Sequence, residues 1–315
     1  MENRIARNGA VGLSAYIKKN YQLYLFVLPA LAAVVVFCYL PYPGMYLAFV
    51  KYDVTKGIWG SDFVGIQHFI SLFSDPSFIR VMRNTLAISL IGFAFGFPLP
   101  IVFAILLNEF SLIKFKKFVQ TASYLPHFVS WVAVAGMMYQ IFNGNNGIVN
   151  DIREFIGLER INYFGEPTMF WGVSVFIAIW KGLGWASIIY LAGISSINPE
   201  LYEASAIDGA GRFKRVRHIT LPGLMPTITI LLILNAGSIF SGAGITPGFD
   251  GVFNLSNSVV SEYSDILDIF IYKQGLRQMH YDFATAMGLL FGIVNMALVL
   301  AANHVANKTN NSGII

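Results

Sequence analysis

Long apolar stretches separated by shorter polar segments dominate the pattern of this chain. Six of them reach or approach the roughly 20 residues that a helix needs to cross the hydrocarbon core of a bilayer. They occupy residues 22–40, 85–107, 118–142, 169–194, 222–243 and 283–304. Because the apolar residues are continuous and do not alternate with polar ones, they predict helices and not the strands of a membrane barrel. We therefore expect an all-α, polytopic bundle of six transmembrane helices, with prolines kinking several of them.

Composition supports a membrane protein and excludes several other classes. Hydrophobic residues make up 56% of the 315 residues and charged residues 12%, about half the charge of a typical soluble domain. The formal net charge of +4 is too small and too scattered to predict a nucleic-acid-binding protein. Cys38 is the single cysteine, so a disulfide within the chain is excluded. The first stretch starts some twenty residues in and ends at Pro41, unlike a cleavable signal peptide.

The basic residues predict which side of the membrane each loop faces, because cytoplasmic loops are enriched in lysine and arginine. With a cytoplasmic N-terminus, 12 basic residues fall on the inner side, 8 on the outer side, and Lys181 within a span. Six crossings then place both termini in the cytoplasm. We expect a cytoplasmic segment at 1–21, a membrane domain at 22–304 with a cytoplasmic loop at 195–222, and a cytoplasmic tail at 305–315.

The loop at 195–222 carries the most specific pattern in the sequence. Asn198 and Pro199 suit the N-cap and the first position of a helix, which we expect to run to about Asp208. Gly209 then permits a sharp turn. A second, basic helix should follow, and Pro222 should mark the start of the next span. Such a helical elbow between two membrane helices can pass force between a soluble partner and the bundle.

This loop resembles the EAA loop of the permeases of ABC importers. The family pattern is EAA, three residues, Gly, nine residues and I-x-L-P, and every spacing fits. Ser205 stands where the family usually has alanine, a small residue for a small one. The neighbouring residues look like the carbohydrate branch, related to maltose-type permeases, and Asn84-Thr85 at the start of the second span agrees. The matching positions are Glu203, Ala204, Ser205, Gly209, Ile219, Leu221 and Pro222.

The resemblance implies a type I importer fold, in which this loop forms a coupling helix that docks on a separate ATPase. Glu203 would make the charged contact to the ATPase. Ala204 and Ser205 would form the close-packing face of the coupling helix, and Gly209 would form the turn. The residues implied in coupling are the seven matching positions and Asp208. For each of them a purely local capping or packing role is the alternative. An amphipathic loop lying on the membrane would explain the basic residues, but not the Gly and Leu-Pro spacing.

The resemblance also implies partners and a location. These are a second and different permease subunit, two ATP-binding subunits, an extracytoplasmic solute-binding protein, an oligosaccharide cargo and the lipid of a bacterial cytoplasmic (inner) membrane. No cofactor would be bound by this chain, since ATP and Mg²⁺ would be held by the ATPase subunits. No nucleic-acid partner is expected.

Missing motifs narrow the mechanism. The sequence has no phosphate-binding loop of the form G-x-x-x-x-G-K-[ST], so the chain should not hydrolyse ATP by itself. Its five histidines are far apart and form no metal-ligand pattern, so capping or interfacial roles are expected. The predicted spans lack the acidic residues that ion-coupled carriers use at mid-membrane. An externally powered transporter is therefore favoured.

Lys181 is the one clear charge inside a predicted span, between Trp180 and Trp185. Intramembrane charges usually face a cavity or a partner. Lys181 could contact an acidic group on the cargo or on a partner subunit. Alternatively, it could snorkel to an interface or bind backbone carbonyls at a broken Gly182-Leu183-Gly184 turn. Sugar rings pack on the faces of aromatic side chains, while polar side chains bind the sugar hydroxyls. Each aromatic residue taken alone could instead pack between helices or belong to the aromatic belt at the membrane interface. The candidate substrate path is Tyr124, Trp131, Tyr139, Trp180, Lys181, Trp185, Asn235 and Ser238.

Two other functions remain open at this point. The first is an importer permease for another solute, such as peptides or amino acids. The second is a membrane receptor or scaffold that senses without transporting. Within the carbohydrate interpretation, Lys181 beside two tryptophans suggests that the oligosaccharide could carry uronic-acid units.

Overall fold

The computed structural model describes residues 18–240, 242 and 245–310, with the side chains of 309 and 310 excepted. The predicted terminal segments fall largely on residues 1–17 and 311–315, outside the described residues, so their cytoplasmic location stays a prediction. Within the described residues, five helical runs are long and apolar enough to cross a membrane and correspond to five of the predicted spans. These runs are Tyr21–Phe49, Pro76–Glu109, Pro167–Ser195, Arg212–Ala236 and Tyr281–Lys308.

The first run begins with α1 at Tyr21–Val34, none of whose residues is buried in this chain. It continues through a π-helical turn at Val35–Tyr39 and a 3₁₀ segment at Tyr42–Phe49. A small antiparallel pair of strands follows, with Val50 opposite Phe63. The segment after the first run holds β1 Val50–Lys51, α2 Gly57–Gly60, β2 Asp62–Phe63 and α3 Gln67–Ser74. This two-residue pair of strands is a minor departure from the predicted all-α class.

The second run consists of α4 Pro76–Gly96 and α5 Pro98–Glu109. Asp75 caps α4, since its Oδ1 accepts a hydrogen bond from the Ser77 amide at 2.8 Å. Pro98 has no N–H to donate to the preceding turn, so the two helices are separated at this proline.

The third predicted span, at 118–142, is divided into two helices. It consists of α6 Ile113–Tyr124, a 3₁₀ turn at Leu125–Phe128, and α7 Trp131–Ile141. Pro126 cannot donate to the helical ladder, and Ser130 starts α7 by accepting a hydrogen bond from the Ala133 amide at 3.3 Å. The apolar stretch is thus present, but α7 is shorter than the spanning runs. The proline that predicted a kink marks a complete break.

The fourth span is a single long helix. After α8 at Ile148–Phe155 and a 3₁₀ turn at Pro167–Met169, α9 runs without interruption over Phe170–Ser195. The expectation of a broken turn at Gly182–Gly184 is therefore wrong. Gly184 instead permits close helix contact, because a Cβ there would lie 2.2 Å from the Ser123 carbonyl oxygen of α6.

The loop at 195–222 forms the predicted elbow. It contains α10 Pro199–Ile207, then α11 Arg212–Arg215 and a π-helical turn at Val216–Thr220, which lead directly into α12 Leu221–Ala236. The basic helix and the fifth span are thus one helical run, without a break at Pro222. Pro222 removes one N–H from the backbone ladder, and the run continues past it directly after the π-helical turn at Val216–Thr220. The fifth helix ends before residue 243, which lies outside the described residues.

The remaining elements complete the bundle. They are α13 Gly248–Leu255, α14 Ser261–Ser264, α15 Leu267–Tyr272, a π-helical turn at Lys273–Arg277 and α16 Tyr281–Asn310. The helix α9 lies at the centre, in contact with α4, α5, α6 and α12. Its residues Phe170 and Ile177 are buried in one apolar cluster and Tyr190 in another. This central helix carries Lys181.

Candidate functional site

A cavity of about 370 Å³ lies beside the middle of α9. Its walls come from the α4–α5 junction, the turn before α7, α9, α12 and the segment at 245–246. Four of the predicted path residues line it, namely Trp131, Lys181, Trp185 and Asn235. Residues that are up to about 100 positions apart in the sequence therefore meet at one place in the bundle.

Lys181 is held at the cavity wall by backbone carbonyls. Its Nζ donates to the His127 oxygen at 2.6 Å and, more weakly, to the Pro126 oxygen at 3.4 Å. The ammonium also lies 5.6 Å from the centre of the Trp131 ring, within the range of a cation–π contact. The Pro126 oxygen also accepts a hydrogen bond from the Val129 amide at 3.2 Å, so the His127 oxygen is the main partner of the ammonium. The structure thus contains the carbonyl contact expected as one alternative, but at the 3₁₀ turn and not at the glycines.

An aromatic surface lies next to this ammonium. The rings of His127 and Trp185 are stacked, with centroids 4.5 Å apart and planes inclined by 2°. Asn235, on the facing helix α12, lines the same cavity and donates from Nδ2 to the Leu231 oxygen at 2.6 Å. A cationic group, flat rings and an amide therefore converge on one space.

The other four predicted path residues lie away from this cavity. Tyr139 is part of an apolar cluster, where its hydroxyl donates to the Leu255 oxygen at 2.8 Å. Trp180 precedes Lys181 on the same helix, and one helical position turns its side chain by about 100°. Ser238 donates to the Leu234 oxygen at 3.1 Å, and Tyr124, half-buried at the end of α6, does not line the space. These four residues were chosen by residue type, which does not specify the direction in which a side chain points from its helix.

His127 was expected to have a capping or interfacial role, and its position at the cavity was not predicted. In the structure its ring lines the cavity and its carbonyl oxygen binds Lys181. The sequence does contain a signal for this position: His127 lies within an apolar stretch, directly after a proline. Ionisable residues inside membrane spans usually have a functional role.

The coupling loop has a well-defined helix at its tip. The Asn198 side chain accepts a hydrogen bond from the Glu200 amide at 3.0 Å, as its predicted N-cap role requires. At the other end Gly209 has φ +72°. The Ala210 amide donates to the Ser205 oxygen at 2.9 Å and the Gly209 amide to the Ala206 oxygen at 3.1 Å, which is the Schellman pattern.

Most residues implied in coupling are presented to the surroundings. Glu203, Ala204, Asp208, Gly209, Leu221 and Pro222 are exposed, and Ser205 and Ile219 are half-buried. Two apolar side chains near them, Ile207 and Phe213, are 88% and 77% exposed. Along the basic helix that follows, Thr220 is buried and Val216 half-buried, whereas Phe213 is exposed. An exposed apolar and acidic helix tip is suited to contact a second protein.

The loop is fastened to both adjoining spans. A Cβ at Gly223 would lie 2.6 Å from Ile197 Cδ1, and one at Gly193 would lie 2.9 Å from Leu224 Cδ2. The two glycines therefore let the end of α9 and the start of α12 approach closely. These contacts hold the end of α9 against the start of α12, so a force applied through the loop would act on both helices together.

Comparison with known proteins identifies the family. The model of a family described as binding-protein-dependent transport system inner membrane component matches residues 96–308, which include the cavity-lining part of α9 and the coupling loop. The chain belongs to this family. The resemblance inferred from the EAA spacing is confirmed.

Similar proteins cover nearly the whole chain. The polygalacturonan/rhamnogalacturonan transport system permease protein YteP of Bacillus subtilis is 40% identical over 298 residues, 95% of this chain and 91% of that protein. The trehalose/maltose transport system permease protein MalF of Thermococcus litoralis is 31% identical over 67% of this chain and 70% of that protein. A chain in the crystal structure of a bacterial ABC transporter involved in the import of the acidic polysaccharide alginate is 37% identical, with a TM-score of 0.84 over 95% of this chain and 99% of that chain.

The permease is therefore a multi-pass membrane subunit of an ABC importer that depends on a solute-binding protein. It is not itself the ATP-hydrolysing enzyme, because relatives in this family are permease subunits. The predicted helical fold class is confirmed by the structural match. The roles of individual residues in the cavity and the coupling loop stay predictions.

Proposed function

We propose that this permease forms half of the pathway by which a bacterial importer takes up oligosaccharides that carry carboxylate groups. Two of the similar proteins support an acidic cargo: one is named for polygalacturonan and rhamnogalacturonan, whose galacturonate units are acidic, and the other belongs to a transporter of the acidic polysaccharide alginate. The third is named for trehalose and maltose, which are neutral. The observation that carries the proposal is the position of Lys181 on the wall of the cavity.

The chemistry of the cavity fits such a cargo. A sugar ring can lay its C–H face on the stacked His127 and Trp185 rings, while hydroxyl groups bind the Asn235 amide. Lys181 has three donors, of which two point to the His127 and Pro126 oxygens. The third donor and the positive charge remain for a carboxylate. In a low-dielectric cavity such an ion pair is stronger than in water.

The carbonyl contacts of Lys181 give the charge a fixed place and do not neutralise it. A lysine that merely snorkelled would extend towards the membrane surface, whereas Lys181 is buried, with 8% of its surface exposed. Lys181 is hydrogen-bonded but has no acidic partner among the described residues, and keeping such an ammonium buried costs free energy. Binding of an anionic cargo would offset this cost, which explains why a lysine is present at this position.

The rest of the proposed machine follows from the coupling loop. A second permease completes the pathway, and two ATPase subunits, which bind ATP and Mg²⁺, dock on α10 from the cytoplasm. The solute-binding protein delivers cargo to the outer face, and both chain termini are cytoplasmic in a bacterial inner membrane. Closure of the ATPases moves α10 and, through the Gly193 and Gly223 contacts, tilts α9 and α12 to alternate access.

The test compares acidic and neutral cargo in the assembled transporter. The complex is reconstituted in vesicles with its binding protein, and uptake of oligogalacturonate and of a neutral oligosaccharide of similar length is measured. Lys181→Met keeps the length of the side chain and removes the charge. Lys56→Met is the matched control, since Lys56 is an exposed residue paired with Asp62 on the surface.

We expect Lys181→Met to reduce uptake of the acidic cargo several-fold and to leave uptake of the neutral cargo nearly unchanged, with no effect of Lys56→Met. An equal loss for both cargoes would assign Lys181 to positioning the 3₁₀ turn alone. Failure of the wild type to prefer acidic cargo would reject the proposed substrate class.

A further inference from the structure

The outer helix α8, Ile148–Phe155, presents an apolar face away from the protein. Ile148, Ile152, Phe155 and Ile156 follow the i, i+4, i+7 and i+8 spacing that places side chains on one side of a helix. All four are exposed, and Phe155 is 91% exposed. The polar residues Asp151 and Glu154 lie on other sides of the helix. A soluble surface helix shows the reverse arrangement, with its apolar side on the core.

The polar side holds α8 in this orientation. Asn150 is completely buried, and its amide nitrogen donates to the Asn143 and Ile161 oxygens, both at 2.8 Å. Its amide oxygen accepts from the Ile161 amide at 2.9 Å. Arg160 pairs with Asp151 at 2.9 Å and also with Glu154. The apolar face is thus fixed outward by satisfied hydrogen bonds on the opposite side, and rotation of the helix would break them.

The C-terminal end of α8 is equally well defined and extends the apolar face. Gly157 has φ +81°, and the Leu158 amide donates to the Arg153 oxygen at 2.8 Å while the Gly157 amide donates to the Glu154 oxygen at 3.0 Å. This Schellman turn brings the half-exposed Leu158 back beside the helix. The face is therefore part of an ordered element.

A short linker and aromatic contacts join the loop that carries α8 to the membrane-spanning part of the bundle. The linker 142–147 joins the end of α7 to α8 and can reach at most about 20 Å. Phe142 in this linker packs on Tyr163, with ring centroids 5.2 Å apart, and on Phe176 of α9 at 6.3 Å. Phe176 is 58% exposed within a membrane-spanning run. Aromatic contacts thus connect the exposed side of the fourth span with the loop that carries α8.

We propose that α8 lies in the outer interface of the bilayer, with Ile148, Ile152, Phe155 and Ile156 in contact with lipid. Amphipathic helices whose apolar face lacks hydrogen-bonding groups lie in the plane of the membrane interface, with that face at the boundary between headgroups and acyl chains. The surface that a transiently docking solute-binding protein contacts is usually no more apolar than the average protein surface, and it forms hydrogen bonds with that protein. The apolar face of α8 does not have this composition. The helix would anchor the outer loop of the permease at a fixed depth. This inference does not depend on the nature of the cargo.

Spin-label accessibility tests the proposal. In a Cys38→Ser background, which removes the single native cysteine, nitroxide labels are placed by Ile152→Cys and Phe155→Cys. Glu154→Cys is the matched control on the polar side of the same helix, where Asp151 still pairs with Arg160. Phe176→Cys is the lipid-facing reference. The full transporter is assembled in nanodiscs of phosphatidylcholine and phosphatidylglycerol, and collision rates with oxygen and with a water-soluble nickel complex are measured.

The expected result is that labels at 152 and 155 resemble the label at 176. Their ratio of oxygen to nickel collisions should be several-fold higher than at 154, and addition of the binding protein should not change it. A nickel accessibility at 152 and 155 equal to that at 154 would place the face in water and overturn the proposal. Shielding from both reagents, or protection that appears only with the binding protein, would assign the face to a protein partner and overturn it as well.

Discussion

The hydroxyl of Tyr202 lies 3.0 Å from the hydroxyl of Thr220, and this hydrogen bond joins the coupling helix to the start of the fifth span. Tyr202 immediately precedes Glu203 on α10, whereas Thr220 is completely buried. The helix that we expect to meet the ATPase is thus connected to the bundle by a side-chain contact in addition to the chain itself. Motion of α10 can reach α12 without bending the turn at Gly209.

Removal of this hydrogen bond should weaken coupling. Tyr202→Phe retains the ring and loses a contact worth about 0.5–1.5 kcal/mol, so we expect uptake per ATP hydrolysed to fall by roughly 2- to 10-fold. Thr220→Val should have a similar effect, and the double variant should be no worse than either single variant. Tyr21→Phe, at an exposed position, serves as the control. Additive losses in the double variant would show that the two hydroxyls act separately.

The turn after α10 requires glycine at one position and not at its neighbour. Gly209 has φ +72°, whereas Gly211 has φ −68°, and a Cβ at either would meet no atom within 4 Å. Gly209→Ala should therefore cost about 1–2 kcal/mol of backbone strain and reduce uptake, while Gly211→Ala should be tolerated. Gly209→Asn should recover part of the activity, because asparagine adopts this conformation more readily. Uptake and ATPase activity are the measurements, and equal effects at 209 and 211 would contradict the explanation.

Close contact between α6 and α9 depends on Gly184. A Cβ there would lie 2.2 Å from the Ser123 oxygen, whereas one at Gly172, on the same helix, would meet nothing within 4 Å. We expect Gly184→Ala to destabilise the folded protein by about 1–3 kcal/mol or more. Gly172→Ala should be neutral or slightly stabilising, since alanine favours helix by about 1 kcal/mol over glycine. Thermal unfolding in detergent would measure both, and a normal midpoint for Gly184→Ala would refute the close approach.

A buried threonine connects the second span to the outer half of the bundle. Thr85 accepts a hydrogen bond from the Leu267 amide at 2.8 Å and donates to the Val81 oxygen at 2.8 Å. Thr85→Val keeps the shape but leaves the Leu267 amide without its partner, which should cost about 1–3 kcal/mol. Thr121→Val is the matched control, because the exposed Thr121 only donates to the Lys117 oxygen. The comparison of their unfolding midpoints decides: an equal effect of the two changes would exclude the proposed role of Thr85.

The elements that could be predicted are those that local sequence encodes. Asn198, Pro199 and Gly209 specified the ends of the coupling helix, because capping and positive φ depend on a few neighbouring residues. The cavity was predicted only in part: Trp131, Lys181, Trp185 and Asn235 line it, but Trp180 and Tyr139 do not. Residue type indicated which side chains could bind a sugar, whereas direction depends on how each helix is rotated in the bundle.

Local sequence was sufficient to predict a membrane bundle and a helical elbow between its fourth and fifth spans, because apolar length and motif spacing are local properties. Three features could be seen only in the folded chain: Pro126 divides the third span, the His127 carbonyl binds Lys181, and Tyr202 is bound to Thr220. The two contacts join residues at least 18 positions apart, and the break in the third span depends on the helices that pack around Pro126. Their formation is governed by how helices pack against one another, which no local pattern along the chain specifies.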